Sequence, residues 1–237
     1  MKYEPKQEQQ LMTEIWSLNI KDDPVNFVKF AFPWGQKDTP LEDFEGPRKW
    51  QEKILRDIAV HIQRNQTIDL PEMFRLAVAS GRGIGKSALV AWLILWMLST
   101  RLGATIIVTA NTEQQLRSRT WAELGKWLTL SINSHWFMKT ATTIKPAPWF
   151  QEALERDLKI DTGYYYAQAQ LWSEENPDAF AGIHSSYGVC LIMDEASGIP
   201  SPIYSVSEGF FSEPTRDRYW FTFSNPRRNT GPFYDSF

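Results

Sequence analysis

A glycine-rich stretch carries the most specific chemical pattern in this sequence. Residues 80–87 read Ser-Gly-Arg-Gly-Ile-Gly-Lys-Ser, which fits a phosphate loop everywhere except the first position, where a serine replaces the expected glycine. The glycines let backbone N–H groups turn inward, the lysine can reach the β- and γ-phosphates, and the last serine offers a hydroxyl to Mg²⁺. The predicted nucleotide-binding residues of this stretch are Ser80, Gly81, Arg82, Gly83, Ile84, Gly85, Lys86 and Ser87.

An apolar run that ends in two acids supplies a second pattern. Residues 189–195 read Val-Cys-Leu-Ile-Met-Asp-Glu, the form of a Walker B strand. Phosphoryl transfer needs a metal that neutralises charge and a water that is oriented for attack. We therefore expect Asp194 to bind Mg²⁺ together with Ser87, and Glu195 to polarise the water. Together the two patterns predict an ATPase that uses ATP and Mg²⁺, with Glu195 and Lys86 in catalysis and Arg82 as a further candidate catalytic residue.

For several other polar residues the sequence allows two roles each. Gln51 lies on a predicted helix before the first strand, where its amide can read the adenine edge or simply face solvent. Ser224 and Asn225 end an apolar run and precede Pro226, so they either contact the γ-phosphate or the attacking water, or cap a turn. The guanidinium of Arg82 can reach the γ-phosphate or a carboxylate of a neighbouring segment.

Short apolar runs predict the strands that deliver these residues. Residues 75–79, 104–110, 189–193 and 218–223 read as buried strands, and residues 47–64 and 112–130 have the periodicity of helices. The alternation of strands and helices predicts an α/β fold of the P-loop NTPase class, ASCE or RecA-like, with a mainly parallel central sheet and helices on both faces. Ligands of such sheets bind at the carboxyl ends of the strands.

Length and composition limit the remaining possibilities. A chain of 237 residues can bury one sizeable core, and we expect a helical extension over residues 1–42 to pack on a P-loop domain over residues 43–237. The longest apolar run, residues 88–98, is about half the length that spans a bilayer, so no membrane partner is expected. The polar start indicates a cytoplasmic protein. A net charge of −3 confines any DNA contact to local patches.

Several segments together resemble one family. They are Arg82 inside the phosphate loop, the strand at residues 104–110 followed by Asn-Thr-Glu-Gln-Gln, the segment 180–184 ahead of the acidic pair, Ser-Asn-Pro at residues 224–226, and Pro-Arg-Lys-Trp-Gln at residues 47–51. Over residues 44–237 the chain is similar to the ATPase domain of the large terminase subunit, the DNA-packaging motor of tailed bacteriophages and prophages. The stretch ending in Gln51 looks like that family's adenine-recognition motif, and Ser224, Asn225 and Pro226 resemble its coupling motif.

The resemblance implies a motor that hydrolyses ATP to drive double-stranded DNA into a procapsid in the host cytoplasm. The implied partners are double-stranded DNA, the portal protein of the procapsid and the small terminase subunit. The assembled form would be a homo-oligomeric ring, and we expect a monomer in isolation. Motors of this kind usually receive an arginine finger from the next subunit, so we also expect slow hydrolysis by the isolated chain.

One departure and two rival functions bear on this interpretation. Family members normally continue into an RNase H-like nuclease domain with clustered carboxylates; no such cluster precedes Phe237, so we expect no nuclease activity from this chain. A superfamily 2 helicase-like or restriction-type DNA translocase would need a second motor domain, for which 237 residues leave no room. A nucleotide-binding assembly factor without turnover is the other alternative, and intact Lys86, Asp194 and Glu195 argue against it.

Overall fold

The computed structural model describes residues 4–81, 83–180, 185–226 and 228–237. Within these residues, a seven-stranded sheet forms the centre of the protein. Its strands are β1 (Phe74–Ala79), β2 (Thr105–Ala110), β3 (Phe137–Lys139), β4 (Thr143–Pro146), β5 (Tyr166–Ala169), β6 (Val189–Asp194) and β7 (Arg218–Ser224). The spatial order is β1-β7-β6-β2-β5-β4-β3. From β1 to β5 all neighbouring strands are parallel, and β4 and β3 add an antiparallel margin. The predicted fold class is confirmed.

Both faces of the central strands are buried, which explains why these strands read as continuous apolar runs. Side chains alternate between the two faces of a strand. On β6, Cys190 and Ile192 belong to one apolar cluster, whereas Leu191 and Met193 belong to the other. The sheet therefore separates two layers of core, and the polar residues that follow each strand emerge at its edge.

Helices cover the sheet. They are α1 (Pro5–Ile15), α2 (Leu18–Lys21), α3 (Pro24–Ala31), α4 (Lys49–Gln66), α5 (Lys86–Thr100), α6 (Glu113–Gln115), α7 (Ala122–Leu130), α8 (Pro148–Asp157) and α9 (Ser201–Ser207). Residues 89–100 of α5 are all buried, so this helix is apolar on every side and forms the centre of one core layer. None of the helices in the described part of the chain combines the length and apolar content needed to cross a bilayer.

Two helices differ from the sequence-based expectation. The helix predicted over residues 112–130 contains a π-helical segment, Leu116–Trp121, between α6 and α7. The helix predicted from Pro47 begins at Lys49, with Arg48 in an extended conformation at its N-cap. Proline fits the first turn of a helix, but here Pro47 lies two residues before the first turn.

The N-terminal helices share a core with the sheet. Val25, Phe27 and Val28 of α3 belong to the same apolar cluster as α5, and the buried guanidinium of Arg101 pairs with Asp22 at the end of α2. The predicted boundary at residue 42 thus separates segments that contribute to one apolar cluster. The division into an extension and a P-loop domain stays a prediction.

Candidate nucleotide site

Three strand ends meet at one edge of the sheet. In the register of the parallel strands, Ala79 of β1 lies opposite Ser224 of β7, and Phe223 of β7 lies opposite Asp194 of β6. The segments that follow β1, β7 and β6 therefore emerge side by side. They surround a cavity of about 440 Å³, and its lining residues are Gly83, Ile84, Gly85, Lys86, Ser87, Ala88, Gln115, Arg119, Glu123, Asp194, Glu195 and Asn225.

The phosphate loop has the backbone shape that its glycines predicted. Gly83 and Gly85 have φ values of 74° and 96°, in a region that glycine adopts without steric cost. Such conformations turn consecutive N–H groups toward one side, where they can receive an anion. The ammonium of Lys86 donates to the carbonyl oxygens of Ser80 and Gly81 at 3.0 and 2.9 Å. Arg82 lies outside the described residues, so its two predicted roles stay predictions.

Two side chains of helix α4 form hydrogen bonds with the backbone of the phosphate loop. Trp50 Nε1 donates to the carbonyl oxygen of Ile84 at 3.3 Å, and Gln51 Nε2 donates to that of Gly85 at 2.8 Å. Gln51 Oε1 accepts the backbone N–H of Arg48 at 2.8 Å, and the Gln51 residue is only 2% exposed. The amide of Gln51 is thus engaged by backbone groups. Its predicted contact with adenine stays a prediction, whereas its contact with the loop is a feature that sequence reasoning missed.

The acidic pair is held by hydrogen bonds. Asp194 is 8% exposed; its Oδ2 accepts the hydroxyl of Thr120 at 2.7 Å, and its Oδ1 accepts the backbone N–H of Glu195 at 3.0 Å. Burial raises the pKa of the Asp194 carboxyl above its ordinary value, and the two hydrogen bonds oppose this rise. Burial disfavours the ionised form, and a nearby cation favours it. A positively charged ligand in the cavity would therefore stabilise the ionised form of the Asp194 carboxyl.

Glu195 has an uncommon backbone conformation. Its φ of 52° and ψ of 39° lie in the left-handed region, which costs a residue with a side chain roughly 1 kcal/mol or more and is concentrated at functional sites. The short 3₁₀ turn Ala196–Gly198 follows directly. This conformation ends β6 abruptly and leaves Glu195 among the residues that line the cavity.

Ser197, in that turn, binds the segment after β7. The N–H of Ser197 donates to Ser224 Oγ at 3.1 Å. The hydroxyl Oγ of Ser197 lies 2.8 Å from Ser224 Oγ and donates to the carbonyl oxygen of Asn225 at 3.1 Å. Ser224 is fully buried, and its carbonyl oxygen accepts the N–H of Ser80. Ser224 thus connects three segments and does not line the cavity. No sequence pattern identified Ser197.

Asn225 is the residue of the predicted coupling motif that reaches the cavity. Its Oδ1 accepts from Lys86 Nζ at 2.8 Å, so the amide contacts the lysine of the phosphate loop. Pro226, the next residue, is exposed. The structure therefore brings Asn225 together with Lys86, Asp194 and Glu195 around one cavity, whereas Ser224 is buried and bonds Ser80 and Ser197.

The oxygen donors at this edge suit Mg²⁺. The hydroxyl of Ser87 and the carboxylates of Asp194 and Glu195 line the same cavity. No cluster of three or more His, Cys, Asp or Glu side chains that could hold a metal occurs within the described ranges. Mg²⁺ is commonly bound by one or two protein oxygens together with substrate phosphates and waters. The donor set therefore fits Mg²⁺ that arrives with a nucleotide.

Three lining residues of the cavity were not predicted as site residues. Gln115, Arg119 and Glu123 also line the cavity, and they lie four residues apart on the helical segment after β2. A larger groove of about 710 Å³ lies beside β1 and β7 and is lined by Arg75, Trp220 and other residues. It contains none of the predicted site residues, so the smaller cavity is the candidate site.

Comparison with known proteins bears on the fold. No protein-family model matches the chain, and no curated protein matches it. Among solved structures, a point mutant of the large terminase ATPase domain of Thermus phage P74-26 is similar, with a TM-score of 0.51 and 17% sequence identity over 80% of this chain and 68% of that chain. The large terminase of bacteriophage HK97 is similar with a TM-score of 0.53 and 13% identity, over 86% of this chain and 37% of that chain. At these identities the likeness concerns the fold: the chain has the fold of phage large terminase ATPase domains.

Proposed function

We propose that this chain is the ATP-hydrolysing motor domain of a phage terminase large subunit, which drives translocation of double-stranded DNA into a procapsid. One observation carries the proposal. The phosphate loop, the acidic pair and Asn225 of the coupling segment line a single cavity, and Lys86 Nζ lies 2.8 Å from Asn225 Oδ1. A phosphate that attracts the ammonium of Lys86 would compete with Asn225, so nucleotide binding would act on the segment after β7.

Each residue has a role in the proposed reaction. The loop N–H groups and Lys86 bind the phosphates, Ser87 and Asp194 hold Mg²⁺, and Glu195 orients the attacking water and accepts its proton. Bound Mg·ATP supplies the γ-phosphoryl group and the positive charge that neutralises it. Gln51 belongs to the nucleotide site through its bond to Gly85.

Coupling runs through the segment after β7. A ligand that attracts the ammonium of Lys86 competes with Asn225, whose carbonyl oxygen is bonded to Ser197 in the turn after Glu195. Ser224 extends this link into the sheet, because its Oγ accepts the N–H of Ser197. Binding and release of phosphate would therefore act on two strand ends at once.

The proposed motor works in the host cytoplasm as a homo-oligomeric ring. Its partners are double-stranded DNA, the portal protein of the procapsid and the small terminase subunit. Arg82 acts on the γ-phosphate from within the loop, and a neighbouring subunit supplies a further arginine, which in related phosphoryl-transfer enzymes is worth on the order of 10³ to 10⁵ in rate. No nuclease activity is proposed for this chain.

Phosphate release tests the ATPase step. We expect Mg²⁺-dependent release by the wild type and a loss on the order of 100-fold or more in Glu195→Gln, because general-base catalysis contributes about 10² to 10⁴. Nucleotide binding should persist in this variant. Glu174→Gln, at an exposed position, is the matched control. Equal rates in wild type and Glu195→Gln would remove Glu195 as the base, and binding without release by the wild type would favour the assembly-factor alternative.

A further inference from the structure

The helical segment after β2 reaches the acidic pair. Its central part, Leu116–Trp121, is π-helical, and single π-helical turns inside α-helices occur frequently at functional sites. Within this turn Arg117, Ser118 and Arg119 are exposed, whereas Thr120 is 2% exposed. A hydroxyl is thus carried into the interior beside a wall of the nucleotide cavity.

Thr120 contacts the carboxylate that the proposed metal site requires. Its Oγ1 donates to Asp194 Oδ2 at 2.7 Å, and the other carboxylate oxygen accepts the N–H of Glu195 at 3.0 Å. A carboxylate oxygen can accept two hydrogen bonds. The two donors therefore fix the plane of the Asp194 carboxylate and leave one acceptor position on each oxygen for another ligand.

The residue directly after β2, Asn111, lies close to the turn after the acidic pair. A Cβ atom added at Gly198 would lie 2.5 Å from the side-chain atoms Cγ and Oδ1 of Asn111, which shows how closely the chain after β2 approaches that turn. Asn111 and Thr120 thus lie against opposite ends of residues 194–198. Through Thr120 the helical segment after β2 contacts the Asp194 carboxylate directly.

We propose that Thr120 is a positioning residue: its hydroxyl holds the Asp194 carboxylate in the orientation that receives Mg²⁺ with the nucleotide. This inference rests on the proposed function. Hydrogen-bond donors behind a metal-binding side chain orient it, and their removal typically weakens metal binding about 10- to 100-fold. Thr120 touches the metal only through Asp194, so its loss should affect metal-dependent binding and leave metal-independent binding of the nucleotide unchanged.

The test compares Thr120→Val, which has nearly the same shape without the hydroxyl, with Thr120→Ser, which keeps the hydroxyl. Thr129→Val, at an exposed position of α7, is the matched control. The affinity for a fluorescent, non-hydrolysable ATP analogue is measured across a Mg²⁺ titration and again in excess EDTA. We expect the Mg²⁺ concentration at half-saturation to rise on the order of 10-fold in Thr120→Val. Thr120→Ser and Thr129→Val should resemble the wild type, and the affinity in EDTA should be equal in all four proteins.

Two results would overturn the proposal: an unchanged Mg²⁺ half-saturation in Thr120→Val, or a Thr120→Ser variant as weak as Thr120→Val. A purely structural role would lower the urea midpoint of unfolding in Thr120→Val and leave the Mg²⁺ dependence unchanged. Thr120→Ala makes the same comparison if the valine variant does not fold. A wild-type protein without any Mg²⁺-dependent nucleotide binding would instead refute the proposed function itself, and the role of Thr120 with it.

Discussion

Gln51 distinguishes a role predicted from sequence from one observed in the structure. If its amide serves only to read adenine, Gln51→Ala should change the preference for ATP over GTP and leave the stability of the protein unchanged. If the amide braces the phosphate loop, the same substitution should destabilise the fold and weaken both nucleotides. The structure favours the second outcome, because Gln51 bonds Gly85 and Arg48 and is 2% exposed.

The expected magnitude follows from the two bonds. Each hydrogen bond contributes about 1 kcal/mol net, with larger losses where the partner is left buried and unpaired. Arg48 is exposed and Gly85 partly exposed, so water can replace the lost partners and the lower value applies to both. We therefore expect Gln51→Ala to lower the free energy of unfolding by about 2 kcal/mol. For a protein of this size that corresponds to a fall of roughly 4–8 °C in the melting temperature.

Urea and thermal unfolding, followed by tryptophan fluorescence, measure the effect. Gln63→Ala, an exposed position on the same helix, is the control and should change the midpoint little. Gln51→Glu keeps the acceptor for Arg48 but places a carboxylate oxygen against the carbonyl of Gly85, so it should lose at least as much stability as the alanine variant. An unfolding midpoint for Gln51→Ala equal to that of the control would refute the idea that Gln51 stabilises the phosphate loop. A selective loss of ATP affinity would then support recognition of adenine by Gln51.

Two further substitutions test the electrostatics of the fold. Burial raises the pKa of the Asp194 carboxyl above its ordinary value, so the folded state loses stability as pH rises from the ordinary carboxyl range through the folded-state pKa. Without Mg²⁺, Asp194→Asn should therefore be at least as stable as the wild type at pH 8 by urea denaturation, and this advantage should shrink as the pH is lowered toward the ordinary carboxyl range. A variant that is less stable than the wild type at every pH would contradict this. Glu8 is 2% exposed, accepts a hydrogen bond from Trp136 Nε1 and lies 2.9 Å from His135 Nε2. Glu8→Ala should lower the free energy of unfolding by about 3 kcal/mol, because two hydrogen bonds to a buried carboxyl group are lost. The melting temperature of this variant should be lower than that of the exposed control Gln9→Ala.

Local sequence was sufficient for the principal elements. The Gly83 and Gly85 conformations, the buried strand before Asp194 and the apolar helix after Ser87 all follow from residue types over a few positions. Backbone preferences and burial leave a periodic or compositional trace in the segment itself. Because the carboxyl ends of parallel strands share one edge of a sheet, the meeting of the phosphate loop with the acidic pair could also be anticipated.

Contacts between distant segments could not be anticipated. The sequence leaves open that Gln51 bonds the loop, that Ser224 is buried behind Ser197, or that Thr120 reaches Asp194. Each contact depends on the order of strands in the sheet, and the last also on the position of a π-helical turn, since the register of a helix determines which side chain faces inward. The residue types at the site are thus a property of the sequence, whereas their hydrogen-bond partners are a property of the packing that joins segments far apart in the chain.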